Sequence, residues 1–133
     1  MHKKLRAMTS NSVIDEVAFV ILIEKGCEIL STNKTREVRE KIKKDKKFAK
    51  KCYQAVKQFL TYIDFLQKVE LRVIETTLED INFSVEMGSD YRLLPHDALH
   101  VAVMGKYEVK HIATSDLDFE RFKGITIWSP REE

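Results

Sequence analysis

Four carboxylates of this chain stand where helix or strand geometry makes a charge expensive. Asp116 and Asp118 follow directly on the apolar run of "HIATSDLDFERF", residues 111 to 122, where a buried strand is ending. At helical spacing Glu16 has Val13, Phe19, Val20 and Ile23 as its i−3, i+3, i+4 and i+7 neighbours, and its surroundings, "VAFVILI", are apolar on all sides, as in a buried helix. Asp15, turned by about 100°, reads instead as a first-turn acid favoured by the helix dipole. Asp97 meets His100, Val101 and Met104 at the same spacings. A buried carboxylate is tolerated only with a cation, a shared proton or a helix N-terminus beside it. Two ordinary answers stay open: Asp97 as an acid serving its own helix start after Pro95, and Glu16 in a structural salt bridge to a lysine.

Convergence of Glu16, Asp97 and Asp116 at one edge would call for a hard cation, and Mg²⁺ or Mn²⁺ takes oxygen ligands of this kind. Such an ion activates water and neutralises charge on a phosphodiester during in-line attack; two ions about 3.5–4 Å apart clamp both oxygens. Asp118 is expected as a further ligand. Thr114 and Ser115 are expected to donate hydrogen bonds that orient Asp116.

These acids must be held by elements that the periodicity separates. "LRAMTS" predicts a short strand, followed by a helix capped by Ser10, Asn11 or Ser12 and stopping near Gly26. Residues 34 to 68 predict two helices, one with Val38 and Ile42 four apart, the other with Phe48, Cys52, Val56, Phe59 and Ile63 on one face. "LRVIETT" is β-branched and strand-like, and a helix from about Leu78 to Gly88 follows. Pro95 opens the helix of "PHDALHVAVMGKYEV". "VKHIATS" is the next strand, "LDFERF" a short helical turn and "GITIWSP" the last strand. Strands alternating with helices predict an α/β fold, a parallel sheet flanked by helices on both faces. Ligands of such sheets bind at the carboxyl ends of the strands, where Asp116 falls.

Length and composition narrow the options. A chain of 133 residues, 44% apolar, fits a single domain spanning residues 1–133. Its net charge of +2 hides a basic run, "KIKKDKKFAKK" from Lys41 to Lys51, and an acidic stretch from Glu70 to Asp90. Lys43, Lys44, Lys46 and Lys47 are candidates for phosphate contacts, against the plainer reading of a solvated helix face. Near them Tyr53 can stack on bases, whereas Phe48 reads as core. His96 and His100 stand near the acids, His100 reading as a packing or hydrogen-bonding residue; Trp128 reads as an amphipathic residue of the last strand. Two cysteines, Cys27 and Cys52, form neither a disulfide framework nor a zinc pattern. With no signal-peptide pattern and no apolar run long enough for a bilayer, the expected location is cytoplasmic.

The stretch "LLPHDALHVAVMGKYEVKHIATSDLDFERFKGITIWSP", Leu93 to Pro130, closely resembles the C-terminal half of PIN domains, the nuclease fold of VapC-type toxins of toxin–antitoxin systems, and "TSNSVIDEVAFVIL" resembles their acid-bearing helix. The resemblance implies a Mg²⁺- or Mn²⁺-dependent endoribonuclease, a dimer or higher oligomer, inhibited by an antitoxin whose tail enters the acidic crevice. The family's acids fall on Glu16, Asp97 and Asp116, with Asp118 as the additional acid of the same loop. PIN domains open with an apolar strand ending in an Asp ligand, and nothing in this chain matches it. The expectation is therefore an N-terminally abbreviated PIN-like sheet with an incomplete acidic site. A catalytically inactive PIN module that binds RNA or a protein partner is the alternative. Asp116 and Asp118 also resemble the Asp-x-Asp loop of haloacid-dehalogenase-like phosphatases, but the 15 residues after Asp118 are too few for that family's remaining groups. A response-regulator receiver, whose acids come from earlier strands, is excluded likewise.

Overall fold

The computed structural model describes residues 6–130. The chain divides into two compact units, Met1–Glu75 and Thr76–Glu133.

The first unit begins with strand β1 (Ala7–Ser10); Leu5, where the expected strand opens, lies outside the described residues. Ser10 then caps helix α1 (Asn11–Leu30), its hydroxyl accepting from the Val13 N–H at 3.3 Å. Contrary to the sequence reading, α1 runs through Gly26. A Cβ there would overlap Val38 Cγ1 and crowd Phe48, so this glycine serves the close approach of the next helices and stops nothing. The stop is Ser31, left-handed at φ 49°, with its N–H on the Glu28 carbonyl and the Thr32 N–H on that of Cys27.

Helices α2 (Thr35–Lys44) and α3 (Lys46–Lys68) share one boundary residue. The Asp45 N–H closes α2 on the Lys41 carbonyl at 2.8 Å, and Asp45 Oδ1 caps α3 through the Phe48 N–H at 3.0 Å. Leu22, Ile23, Val38, Phe48, Cys52 and Val56 form the core, with Ala18, Ile21, Cys27, Leu30 and Ile42 packed on it. Both cysteines are free thiols. Helix α1 is not buried all round, as its composition suggests: Val17, Phe19 and Val20 are 37, 49 and 50% exposed. Its core contacts run along one stripe only, and the Arg39 guanidinium lies over the Phe19 ring at 5.3 Å. Strand β2 (Leu71–Ile74) closes the unit, parallel to β1 with Ala7 opposite Leu71 and Ser10 opposite Ile74.

In the second unit Thr77 and Asp80 form a reciprocal capping box at the start of α4 (Leu78–Tyr91). This helix also passes its glycine. Gly88 faces Ala98, which an added Cβ would meet at 3.4 Å, an ordinary contact, and Arg92, left-handed at φ 55°, makes the turn. Pro95 is the first residue of α5 (Pro95–Lys106), as its fixed φ favours. Strand β3 (His111–Ala113), a 3₁₀ turn (Leu117–Arg121) and strand β4 (Thr126–Trp128) complete the chain, with β3 and β4 parallel.

The α/β class thus takes the form of short parallel strand pairs among helices. Among the described residues the strands make two separate pairs, β1 with β2 and β3 with β4, where alternation predicted one sheet. Each crossover returns to a strand of its own unit, and strands of three or four residues carry few ladder bonds to recruit a third. Among the described residues no helix is long and apolar enough to cross a membrane.

Candidate metal centre

The second unit's core explains how its acids meet. Leu93, Ala98, Val101 and Phe119 are buried together, with Met87, Tyr91, Ile112, Phe122, Ile125 and Ile127 around them. Phe119 comes from the 3₁₀ turn and Ala98 from the first turns of α5. Burying the Phe119 ring therefore pins the acidic loop against the helix start. Tyr91 and Phe122 add an edge-to-face contact with centroids 4.7 Å apart, and Arg121 Nη1 donates to the Arg92 carbonyl at 2.8 Å. Each apolar anchor sits beside an acid in sequence: Ala98 follows Asp97, and Phe119 follows Asp118.

The result is a cluster. One carboxylate oxygen from each of Asp97, Asp116 and Asp118 lies within 4.8 Å of the others. Asp97 is in the first turn of α5, a helix whose N-cap residue, Leu94, gives no side-chain bond, so its acid both favours the helix start and joins the cluster. Asp116 caps the 3₁₀ turn, accepting from the Asp118 N–H at 2.8 Å. Asp118 is half-buried, and one of its oxygens lies 3.8 Å from Arg121 Nη2. Two unit charges at such a spacing repel by about 1 kcal/mol in bulk water and about 3–4 kcal/mol at a protein surface. A divalent cation reverses that sign, and three carboxylate oxygens are a donor set suited to Mg²⁺, Mn²⁺ or Ca²⁺.

Thr114 orients the loop in a different way from the one expected: its Oγ1 accepts from the Asp116 N–H at 3.0 Å, fixing the backbone rather than donating to the carboxylate. The Thr114 N–H in turn donates to the Trp128 carbonyl at 2.9 Å, which ties the loop to β4. Ser115 is exposed in the same turn. Glu16 is carried by the first unit, on α1, with its Oε1 shielded from solvent. The four candidate lysines, Lys43, Lys44, Lys46 and Lys47, are exposed on either side of Asp45, and Lys43 lies 3.8 Å from Glu40. His96 is exposed and His100 half-buried; neither belongs to the three-carboxylate cluster. Sequence reasoning missed Phe119 and Arg121 as the residues that place the loop. The signal was there, since Phe119 stands among charges in "LDFERF" where only burial accounts for it.

Among curated proteins, part of the chain is similar to ribonuclease VapC6 of Methanocaldococcus jannaschii, with 35% identity over 57 residues. That match covers 43% of this chain and 37% of the relative. No family model matches the chain, and no solved structure does.

Proposed function

We propose that the chain is a PIN-type domain of the toxin–antitoxin kind, a metal-dependent endoribonuclease whose acidic site includes Asp97, Asp116 and Asp118. The observation that carries this reading is the meeting of three carboxylates from two separate elements within 4.8 Å. The partial similarity to a ribonuclease supports it. Asp97, Asp116 and Asp118 would hold Mg²⁺ or Mn²⁺, with Glu16 as the family's further acid. When bound, such an ion supplies Lewis-acid stabilisation of charge on a phosphodiester and a lowered pKa for attacking water.

The chain's own residues do the positioning. Thr114 holds the Asp116 backbone, Asp116 holds that of Asp118, and Phe119 clamps both against Asp97. The lysines flanking Asp45 neutralise RNA phosphates without reading sequence. An antitoxin tail in the acidic crevice and a dimeric assembly come with the same proposal.

The test is thermal. Mn²⁺ is expected to raise the melting temperature of the wild-type chain, and Asp116→Asn to abolish both this rise and metal-dependent RNA cleavage. Asn caps as well as Asp, and one charge fewer relieves the cluster. In EDTA the variant should therefore melt no lower than wild type. Salt-sensitive RNA binding without metal response or cleavage would identify an inactive RNA-binding module instead.

A further inference from the structure

Beside the acidic loop the β3–β4 pair carries an aromatic surface that the metal centre does not use. Alternate residues of the pair divide cleanly: Ile112 and Ile127 pack on the second unit's core, while His111, Ala113, Thr126 and Trp128 are exposed. Pairing sets His111 opposite Thr126 and Ala113 opposite Trp128. Trp128 is 62% exposed, yet it is fastened. Its indole N–H donates to His111 Nδ1 at 3.1 Å, across the diagonal of the pair, with ring centroids 6.2 Å apart. An indole held at its polar end keeps its apolar face for something else.

Three features bear on what that is. The first is position: the Trp128 carbonyl accepts from Thr114, whose hydroxyl accepts from the Asp116 N–H, so the ring stands two hydrogen bonds from the acidic cluster. The second is charge. Lys110 and Lys123, both exposed, stand at the amino-terminal ends of β3 and β4, opposite the acids. The third is size. Apart from His111, which holds the indole, alanine and threonine fill this face, so its free apolar area is mainly the indole's, about 150–250 Å², against the roughly 800 Å² per partner of a stable protein interface. That area matches a nucleobase.

We propose that Trp128, held by His111, is a base-stacking platform for single-stranded RNA whose backbone passes the Asp97–Asp116–Asp118 cluster, an inference that rests on the ribonuclease reading. A strand of three residues spans about 10 Å, room for one or two nucleotides between the lysines and the acids. Stacking is sequence-tolerant, with purines favoured over pyrimidines for their larger π surface.

Trp128 is the chain's one tryptophan, so fluorescence excited selectively at the indole's red edge, beyond tyrosine absorption, reads this site alone. The full chain is titrated in EDTA with decaadenylate, decauridylate and an abasic oligomer of equal length. The expected result is saturable quenching, strongest with decaadenylate and weakest with the abasic strand. Anisotropy of fluorescein-labelled decaadenylate should show about tenfold weaker binding for Trp128→Ala, near-normal binding for Trp128→Phe and an intermediate loss for His111→Gln. Unchanged fluorescence with bound oligomer, equal affinity of Trp128→Ala, or no oligomer binding at all overturns the platform. So does a signal that follows protein concentration alone, which assigns the indole to a contact between copies. The two readings separate: cleavage abolished by Asp116→Asn with no quenching removes the platform alone, whereas quenching in a chain that neither binds Mn²⁺ nor cleaves removes the nuclease and keeps the platform.

Discussion

Asp80 is a buried carboxylate, 5% exposed, with a purpose different from that of the clustered aspartates. It accepts from the Thr77 N–H at 2.9 Å, the Thr77 hydroxyl at 3.0 Å and Lys106 Nζ at 3.2 Å, joining the start of α4 to the end of α5. The Thr77 N–H above all, helped by Lys106 and the Thr77 hydroxyl, holds its carboxyl below the usual range against the cost of burial. A depressed folded-state value stabilises the fold above the unfolded pKa of about 4 and is lost as pH falls through the folded value. Asp80→Asn should therefore lower stability by about 1–3 kcal/mol between pH 5 and 8, and the gap to wild type should close in acid; urea melts across pH check both. Lys106 is shifted the other way, upward, chiefly by its hydrogen bond to Asp80. Its share is present below about pH 10.4 and fades as pH rises through the raised value. The sequence marks this residue only faintly, as Thr77-x-x-Asp80, a cap with Asp in place of the usual Glu or Gln.

At the scale of elements, helix starts were legible and helix stops were not. Ser10, Thr77 and Pro95 sit where local chemistry fixes a first turn, and each helix begins there. Gly26 and Gly88 read as stops because free backbone and missing side chain look alike in a sequence. Only packing against Val38 shows that the missing side chain is the property in use at Gly26. Gly26→Ala tests this directly. Helix propensity alone favours Ala by about 1 kcal/mol, but overlap with Val38 should leave the variant about 1–3 kcal/mol less stable. Adding Val38→Ala should restore part of the loss, so that a double-mutant cycle shows favourable coupling. Of the candidate site, Asp97, Asp116 and Asp118 were legible because helix start and strand end are local signals. The long-range burial of Phe119 that brings them together was not, and neither was the fastening of Trp128 by a residue 17 positions away. The one-sheet expectation failed for a related reason: alternation reveals strands but not how many will hydrogen-bond to each other.

For the whole molecule, a net charge of +2 conceals a separation of sign: four exposed lysines flank Asp45 in the first unit while the acidic cluster belongs to the second. Changing Lys43, Lys44, Lys46 and Lys47 to glutamine takes the net charge to −2. If these side chains neutralise phosphates, RNA affinity should fall for all sequences alike. The slope of log affinity against log salt should flatten by up to about 3, as measured by anisotropy between 50 and 200 mM salt. Melting temperature should hardly move, since the four are exposed. Asp45 gives this arrangement a further property. The joint between the two basic helix ends is one amino acid long and is bonded on both sides, so it has no slack. A single inserted residue would swing one group of cations about 100° around its axis while composition and both helices stayed the same. The phase of the charges, as much as their number, is written into that one position.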